Sequence, residues 1–134
     1  MLPEATRVTI VRDGAIVEAR QKGRDLAREV GFTGSDLTLI ATAISEIARN
    51  IVVYAQRGEI SLSVAERNGK RGILVVARDE GPGIADIERA MRDGYSTGNS
   101  LGLGLPGAKR LMDDFEIISA VGQGTTVTMW KWTP

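Results

Sequence analysis

One long helix constrains this fold more than any other feature of the sequence. Apolar side chains recur from Leu37 to Ala55 with the 3.6-residue period of an α-helix. Ser35 is a favourable N-cap residue, so we predict one helix from Ser35 to about Gln56. The face that this helix turns to the core carries Leu37, Ile40, Ala41, Ile44, Ile47, Ala48, Ile51, Val52 and Ala55. A chain of 134 residues must therefore supply a second layer to cover that face.

Short β-patterned segments supply the second layer. Strands are predicted at Arg7–Val11, Glu59–Glu66, Gly72–Arg78, Phe115–Ala120 and Thr125–Trp132. Asn68-Gly69 is a strong hairpin signal between the second and third of them. Further helices are predicted at Ala15–Val30, Asp86–Arg92 and Leu103–Asp113. This order predicts a single α+β domain over residues 1–134, a two-layer α/β sandwich whose mixed, mainly antiparallel sheet carries helices on one face.

Composition excludes several functional classes. The chain has no cysteine and no histidine, which excludes disulfides, thiolate nucleophiles, imidazole catalysis and phosphohistidine on this chain. The 17 Lys and Arg residues balance 17 Asp and Glu residues, which argues against a nucleic-acid partner. Continuous apolar runs reach only about five residues, against roughly 20 for a membrane span, and no signal peptide is recognisable. We therefore expect a cytoplasmic protein with no membrane partner.

The first candidate motif is a carboxylate and an amide on the long helix. Glu46 and Asn50 are four residues apart and therefore lie on one side of that helix. At about 100° per residue they point away from Ile44, the centre of the apolar stripe. The same second face carries Leu39, Ala43 and Val53. The pair is either a functional pair set into an apolar surface or a solvated pair on an exposed face.

The second motif is Asp79-Glu80-Gly81-Pro82-Gly83-Ile84, directly after an apolar strand. Asp79 provides a fixed hydrogen-bond acceptor at the strand end. Pro82 between two glycines defines a turn in which few side chains obstruct an approaching ligand. The alternative interpretation is a tight connection between a strand and a helix.

The third motif is a glycine-rich loop that opens a helix. Seven of the 16 glycines fall between Gly81 and Gly107. Gly102, Gly104 and Gly107 match the dinucleotide-binding pattern G-x-G-x-x-G, but no strand precedes them and no acidic residue follows at the expected distance. A P-loop is excluded because Ala108-Lys109-Arg110 follows where Lys and Ser or Thr are required. A loop of this kind presents backbone N–H groups suited to phosphate. The alternative interpretation is a flexible surface loop.

Taken together, these motifs resemble the ATP site of the GHKL family of gyrase, Hsp90, histidine kinases and MutL. Gly122-x-Gly124-Thr125 is similar to that family's last element, and the match extends from Ser35 to Thr126. Within the family, Ser45–Asn50 and Gly94–Leu105 resemble the small serine/threonine switch kinases of bacterial partner-switching modules. The resemblance implies the Bergerat ATP-binding fold and a serine/threonine-protein kinase that uses ATP and Mg²⁺.

The resemblance also implies roles for individual residues. Glu46 is the catalytic base, Asn50 is the Mg²⁺ ligand, and Asp79 accepts a hydrogen bond from the adenine amine with support from Thr125. The ATP-binding residues are Asn50, Asp79, Gly81, Gly83, Ile84, Ser96, Thr97, Gly98, Gly102, Leu103, Gly104, Leu105 and Thr125. Lys109 and Arg49 are candidates to stabilise the transferred charge.

The partners implied by the resemblance are proteins. They are STAS-domain antagonists of a stressosome (RsbS/RsbR-like) as phosphoacceptors, and a downstream output protein such as a phosphatase. Two alternatives stay open. The chain is an anti-sigma-factor kinase that also sequesters a sigma factor, or it is an ATP-dependent binding module without physiological transfer.

Overall fold

The computed structural model describes residues 5–84, 91 and 104–134. In chain order the elements are β1 (Thr6–Ile10), α1 (Asp13–Val30), α2 (Ser35–Asn50), a π-helical turn (Ile51–Ala55), β2 (Gly58–Arg67), β3 (Lys70–Asp79), α3 (Gly104–Leu111), β4 (Asp114–Ser119) and β5 (Thr125–Trp132). Apart from Met91, the predicted helix Asp86–Arg92 lies outside the described residues, as does the loop that follows it.

The five strands form one sheet in the order β1-β2-β3-β5-β4. All four strand pairings are antiparallel, so the predicted mainly antiparallel sheet is confirmed and the described strands contain no parallel pair. The β2–β3 hairpin turns at Asn68 and Gly69, whose φ angles are 53° and 80°. Two consecutive positive φ angles define the two-residue turn that the Asn-Gly signal predicts.

The core lies between one face of the sheet and the helices. Alternate residues of the strands point to that face, as in β5, where Thr125, Val127 and Met129 are buried. Ile40, Ile44 and Ile47 of α2 are buried in the same core. The helix Ser35–Ala55 is long and apolar enough to span a membrane, and its burial against this sheet accounts for its apolar character.

Both ends of the long helix differ from a simple α-helix. The N-cap position is Gly34, with a φ of 58° and no side-chain capping hydrogen bond, so the prediction that Ser35 caps the helix is wrong. At the other end the helix widens into the π-helical turn, and Gln56 closes it with a φ of 70°. The backbone N–H of Gln56 donates to the carbonyl of Ile51 at 2.7 Å. This turn leads the chain from α2 into β2.

Candidate functional site

Glu46 is a buried carboxylate with both oxygens engaged. The residue is only 7% exposed, so it does not belong to a solvated surface pair. Its Oε1 accepts a hydrogen bond from Nη1 of Arg49 at 2.8 Å. Its Oε2 accepts one from the backbone N–H of Gly104 at 2.9 Å. Because a buried charge is costly without partners, these two donors hold the carboxylate in one orientation.

The hydrogen bond from Gly104 holds the carboxylate of Glu46 at the N-terminus of α3. It is the first residue of that helix, and its φ of 68° is a conformation that glycine adopts without strain. The N-terminal end of a helix attracts anions through its free N–H groups and its dipole. Leu105, Pro106, Gly107 and Ala108 are buried, which anchors α3 beside α2. An anion-binding position is therefore built here, and Glu46 occupies it.

Asn50 lies one helical turn after Glu46, at the junction of α2 and the π-helical turn. It is half-buried and carries an amide oxygen, a suitable ligand for a hard cation. Among the described residues, no cluster of three or more acidic side chains could hold a metal ion. This donor set fits Mg²⁺ that keeps phosphate and water as most of its ligands.

Asp79 ends β3, and the part of the chain that the structure describes binds only one of its carboxylate oxygens. Its Oδ1 accepts hydrogen bonds from the backbone N–H groups of Gly81 at 2.9 Å and Thr125 at 3.2 Å. Its Oδ2 accepts none from the described residues. The two backbone donors fix the direction of the side chain, so Oδ2 is a rigidly placed acceptor at the end of the sheet.

The loop after Asp79 requires its glycines for its own packing. A Cβ at Gly81 would lie 2.6 Å from the Cβ of Ala55 in the π-helical turn. Gly83 has a φ of 76°, and a Cβ there would lie 2.0 Å from the carbonyl oxygen of Ala120. The carbonyl of Pro82 accepts a hydrogen bond from the N–H of Gly122 at 2.9 Å. The loop is therefore wedged between the end of the long helix and the β4–β5 turn.

The hydroxyl of Thr125 is hydrogen-bonded to that of Ser119, a residue that sequence reasoning missed. Thr125 is 6% exposed, and its Oγ1 lies 2.7 Å from Oγ of Ser119. The Ser119 hydroxyl donates to the carbonyl of Gly124 at 3.0 Å and accepts from the N–H of Ile84 at 2.8 Å. Since Ser119 has one hydroxyl hydrogen, Thr125 donates in this pair and keeps its lone pairs. Ser119 faces Thr125 in the hairpin register, which is the signal that could have found it.

The structure thus brings the predicted residues into two adjoining groups. The first group lies along α2 and α3 and consists of Glu46, Asn50, Gly104 and Leu105. The second group lies at the end of the sheet and consists of Asp79, Gly81, Gly83, Ile84 and Thr125. Gly81 of the second group packs closely against Ala55, in the π-helical turn that continues α2. Ser96, Thr97, Gly98, Gly102 and Leu103 are outside the described residues. Of the two candidate cations, Lys109 is exposed and Arg49 is bound to Glu46.

Comparison with known proteins assigns the family. The family described as the histidine kinase-like ATPase domain matches residues 11–131. The chain belongs to this family. Within the histidine kinase-like ATPases, the serine/threonine-protein kinase RsbT of Bacillus subtilis (strain 168) is 50% identical over 125 residues, which cover 93% of this chain and 94% of RsbT. An anti-sigma F factor of Thermoanaerobacter sp. (strain X514) is 31% identical over 111 residues, covering 79% of this chain and 77% of that protein.

Two solved structures share the fold. The RsbU and RsbW domains of Rv1364c from Mycobacterium tuberculosis align with a TM-score of 0.60 and 24% identity, over 96% of this chain and 33% of that longer chain. The mycobacterial sensor histidine kinase MprB aligns with a TM-score of 0.58 and 17% identity, over 96% and 97% of the two chains. The predicted family and fold class are confirmed, as is the resemblance to serine/threonine switch kinases.

Proposed function

We propose that the protein is a serine/threonine-protein kinase of a cytoplasmic partner-switching module. It transfers the γ-phosphoryl group of ATP to a serine or threonine of a STAS-domain antagonist. The observation that carries this proposal is the buried carboxylate of Glu46, held at the N-terminus of α3 and one helical turn from Asn50. The 50% identity to RsbT over almost the whole of both chains supports the same activity.

Adenine is recognised at the end of the sheet. The available Oδ2 of Asp79 accepts a hydrogen bond from the exocyclic amine of the base. Thr125 keeps lone pairs that accept a hydrogen bond from a bridging water, since its own hydroxyl hydrogen is directed to Ser119. The adjoining wall of the adenine site is formed by Gly81, Gly83 and Ile84. Packing and a hydrogen bond within the protein hold this loop in place.

The phosphates are bound on the α2–α3 side of the site. The N–H groups of Gly104 and Leu105 are donors at a helix N-terminus, which suits phosphate oxygens. The proposed set is completed by Ser96, Thr97, Gly98, Gly102 and Leu103. Asn50 would hold Mg²⁺ through its amide oxygen, and the cation would neutralise phosphate charge there.

Glu46 acts as the general base of the transfer. It takes the proton of the acceptor hydroxyl while that oxygen forms a bond to the γ-phosphorus. The bond between the γ-phosphorus and the bridging oxygen breaks, and ADP leaves with its electron pair. Since Oε2 of Glu46 is bound to the N–H of Gly104, the base becomes available when this N–H changes partner. A γ-phosphate oxygen is the competing acceptor.

A second candidate function follows from the anti-sigma F factors that are 31% identical to this chain. In that function the kinase also sequesters an RNA polymerase sigma factor. In the first, the protein released by phosphorylation is a downstream output protein such as a phosphatase. Recovery of a sigma factor by the tagged protein in a pull-down from its own cells would favour the second candidate, and recovery of STAS-domain proteins without a sigma factor would favour the first.

The substitution Glu46→Gln tests the activity. It keeps the shape of the side chain but removes the basic lone pair and the charge. We expect transfer from radiolabelled ATP to purified STAS-domain proteins of the same organism to fall by about 10²–10⁴-fold. ATP affinity should stay within a few-fold of that of the wild type.

Glu18→Gln is the matched control, because Glu18 is an exposed glutamate on α1 that pairs only with Lys22 in the described residues. It should transfer at the wild-type rate. Undiminished transfer by Glu46→Gln would remove Glu46 as the base. Binding of ATP without transfer to any STAS-domain protein would favour a nucleotide-dependent binding module.

A further inference from the structure

Arg49 and Glu46 form an unusually asymmetric ion pair. The side chain of Arg49 is 41% exposed, whereas that of Glu46 is 8% exposed, and their charged atoms are 2.8 Å apart. Arg28 and Asp25 on α1 have the same spacing along a helix, but their side chains are 58% and 52% exposed and 3.7 Å apart. An exposed pair contributes little, whereas a buried carboxylate depends on its partner. The charge of Glu46 therefore depends on Arg49 for its compensation.

The two donors to Glu46 are not equally replaceable. The N–H of Gly104 is a neutral donor at a helix N-terminus, within the group expected to bind phosphate. The guanidinium of Arg49 carries a full positive charge, so its bond to the carboxylate is an ion pair as well as a hydrogen bond. When a phosphate oxygen takes the N–H of Gly104, Oε2 is released while Oε1 remains held. The carboxylate then presents one oxygen, in a fixed direction, to the acceptor hydroxyl.

We propose that Arg49 is the positioning residue of the catalytic base. It holds Oε1 of Glu46 so that Oε2 receives the proton of the acceptor hydroxyl as the oxygen–phosphorus bond forms and ADP departs. Arg49 does not itself contact the transferred phosphoryl group. This inference rests on the proposed kinase function, and it assigns to Arg49 a role different from direct stabilisation of the transferred charge.

A double-mutant cycle separates these two roles. Arg49→Met removes the guanidinium and keeps an apolar stem. We expect kcat for transfer to STAS-domain proteins to fall about tenfold to a hundredfold, because a misplaced base loses its alignment, while KM for ATP changes only a few-fold. In the Glu46→Gln background, Arg49→Met should cause no further loss, since groups that act as a unit are not additive.

Two further variants serve as checks. Arg49→Lys keeps one charged donor and should restore part of kcat, and its residual loss should also disappear in the Glu46→Gln background. This variant keeps the test valid even if Arg49→Met fails to fold. Arg28→Met breaks the matched exposed pair on α1 and should leave transfer unchanged.

The outcomes are distinguishable. If the Arg49 substitutions reduce transfer by the same factor with and without Glu46→Gln, Arg49 acts on the phosphoryl group directly and the inference is overturned. Wild-type kcat in both Arg49 variants would also overturn it. Absence of transfer by the wild type would overturn the proposed function and this inference with it, whereas additivity in an active enzyme overturns the inference alone.

Discussion

Two aspartates at opposite ends of the sheet are bound in contrasting ways. Asp79 is paired with Thr125 at one end of β3 and β5, and Asp114 is paired with Trp130 near the other end of β5. One oxygen of Asp79 accepts hydrogen bonds from two backbone N–H groups, and the other accepts none within residues 5–84, 91 and 104–134. At Asp114, Oδ2 accepts a guanidinium hydrogen bond from Arg67 at 2.6 Å and an indole hydrogen bond from Trp132 at 2.9 Å.

The hydrogen-bond donors to Asp114 belong to a cluster of side chains. The guanidinium of Arg67 also lies 4.3 Å from the ring centroid of Trp132, so Arg67, Trp132 and Asp114 form a closed cluster from β2 to β4. It crosses β3 at Gly72, where a Cβ would lie 2.6 Å from the Trp132 ring. The donors to Asp114 are side chains of other strands, so these bonds tie strands together. The donors to Asp79 are backbone N–H groups, one of them in the glycine-rich loop after β3, so its carboxylate is oriented without another side chain. In each aspartate the second oxygen accepts no hydrogen bond from the described residues, so the two differ in their donors.

The largest effect expected from this contrast is on ATP affinity. Asp79→Asn keeps an oxygen for the N–H groups of Gly81 and Thr125 but places an amide donor toward the adenine amine. The lost polar match should cost about 1–3 kcal/mol, or roughly tenfold to a hundredfold in Kd measured by calorimetry. Asp114→Asn is the control at the other end and should bind ATP like the wild type. Equal affinity in both variants would show that the adenine lies elsewhere.

A smaller effect is expected on stability, and its pH dependence identifies its source. The hydrogen bond from the Trp132 indole, followed by that from Arg67, lowers the pKa of Asp114 below its ordinary value. A carboxyl with a lowered folded-state pKa contributes stability that is fully present above the unfolded value of about 3.9 and is lost as pH falls through the folded value.

Thermal melts of wild type and Asp114→Asn should therefore differ by a small amount at neutral pH and converge in acid. A difference that stays constant down to the acid range would show that ionisation of Asp114 contributes nothing to the cluster. The same melts on Asp79→Asn report whether the nucleotide-end substitution has left the fold intact.

Much of the fold was predictable because it depends on local pattern. The 3.6-residue period of the long helix and the Asn-Gly hairpin are short-range signals, and both predictions are confirmed. The π-helical turn was not predicted, because the apolar period of the long helix continues to Ala55 and gives no signal of the wider turn. The N-cap at Gly34 was missed because Ser35 is the better cap by residue preference, yet the chain reaches the helix through a positive φ that suits glycine.

The site was predictable only in part, because some of its contacts join residues that are far apart in the sequence. The sequence motifs identified Glu46 and Asp79 as candidates, and the family resemblance added Thr125. The structure shows all three fixed by hydrogen bonds. The bond between Glu46 and the N–H of Gly104 joins residues 58 positions apart. Only the packing of α3 beside α2 produces such a contact. Ser119 likewise gains its role from strand register, which is found only when the two predicted strands are aligned against each other.

Backbone and indole N–H signals in solution NMR test the central claim most directly. Titration of the labelled protein with Mg²⁺ and a non-hydrolysable ATP analogue should shift the amide signals of Gly81, Gly104 and Thr125, since Asp79 meets the base and phosphate replaces Glu46 as the acceptor of the Gly104 N–H. The indole N–H signal of Trp132 should not move, because its partner Asp114 lies at the other end of the sheet. A shift of the Trp132 indole with unchanged Gly81, Gly104 and Thr125 signals would contradict the account.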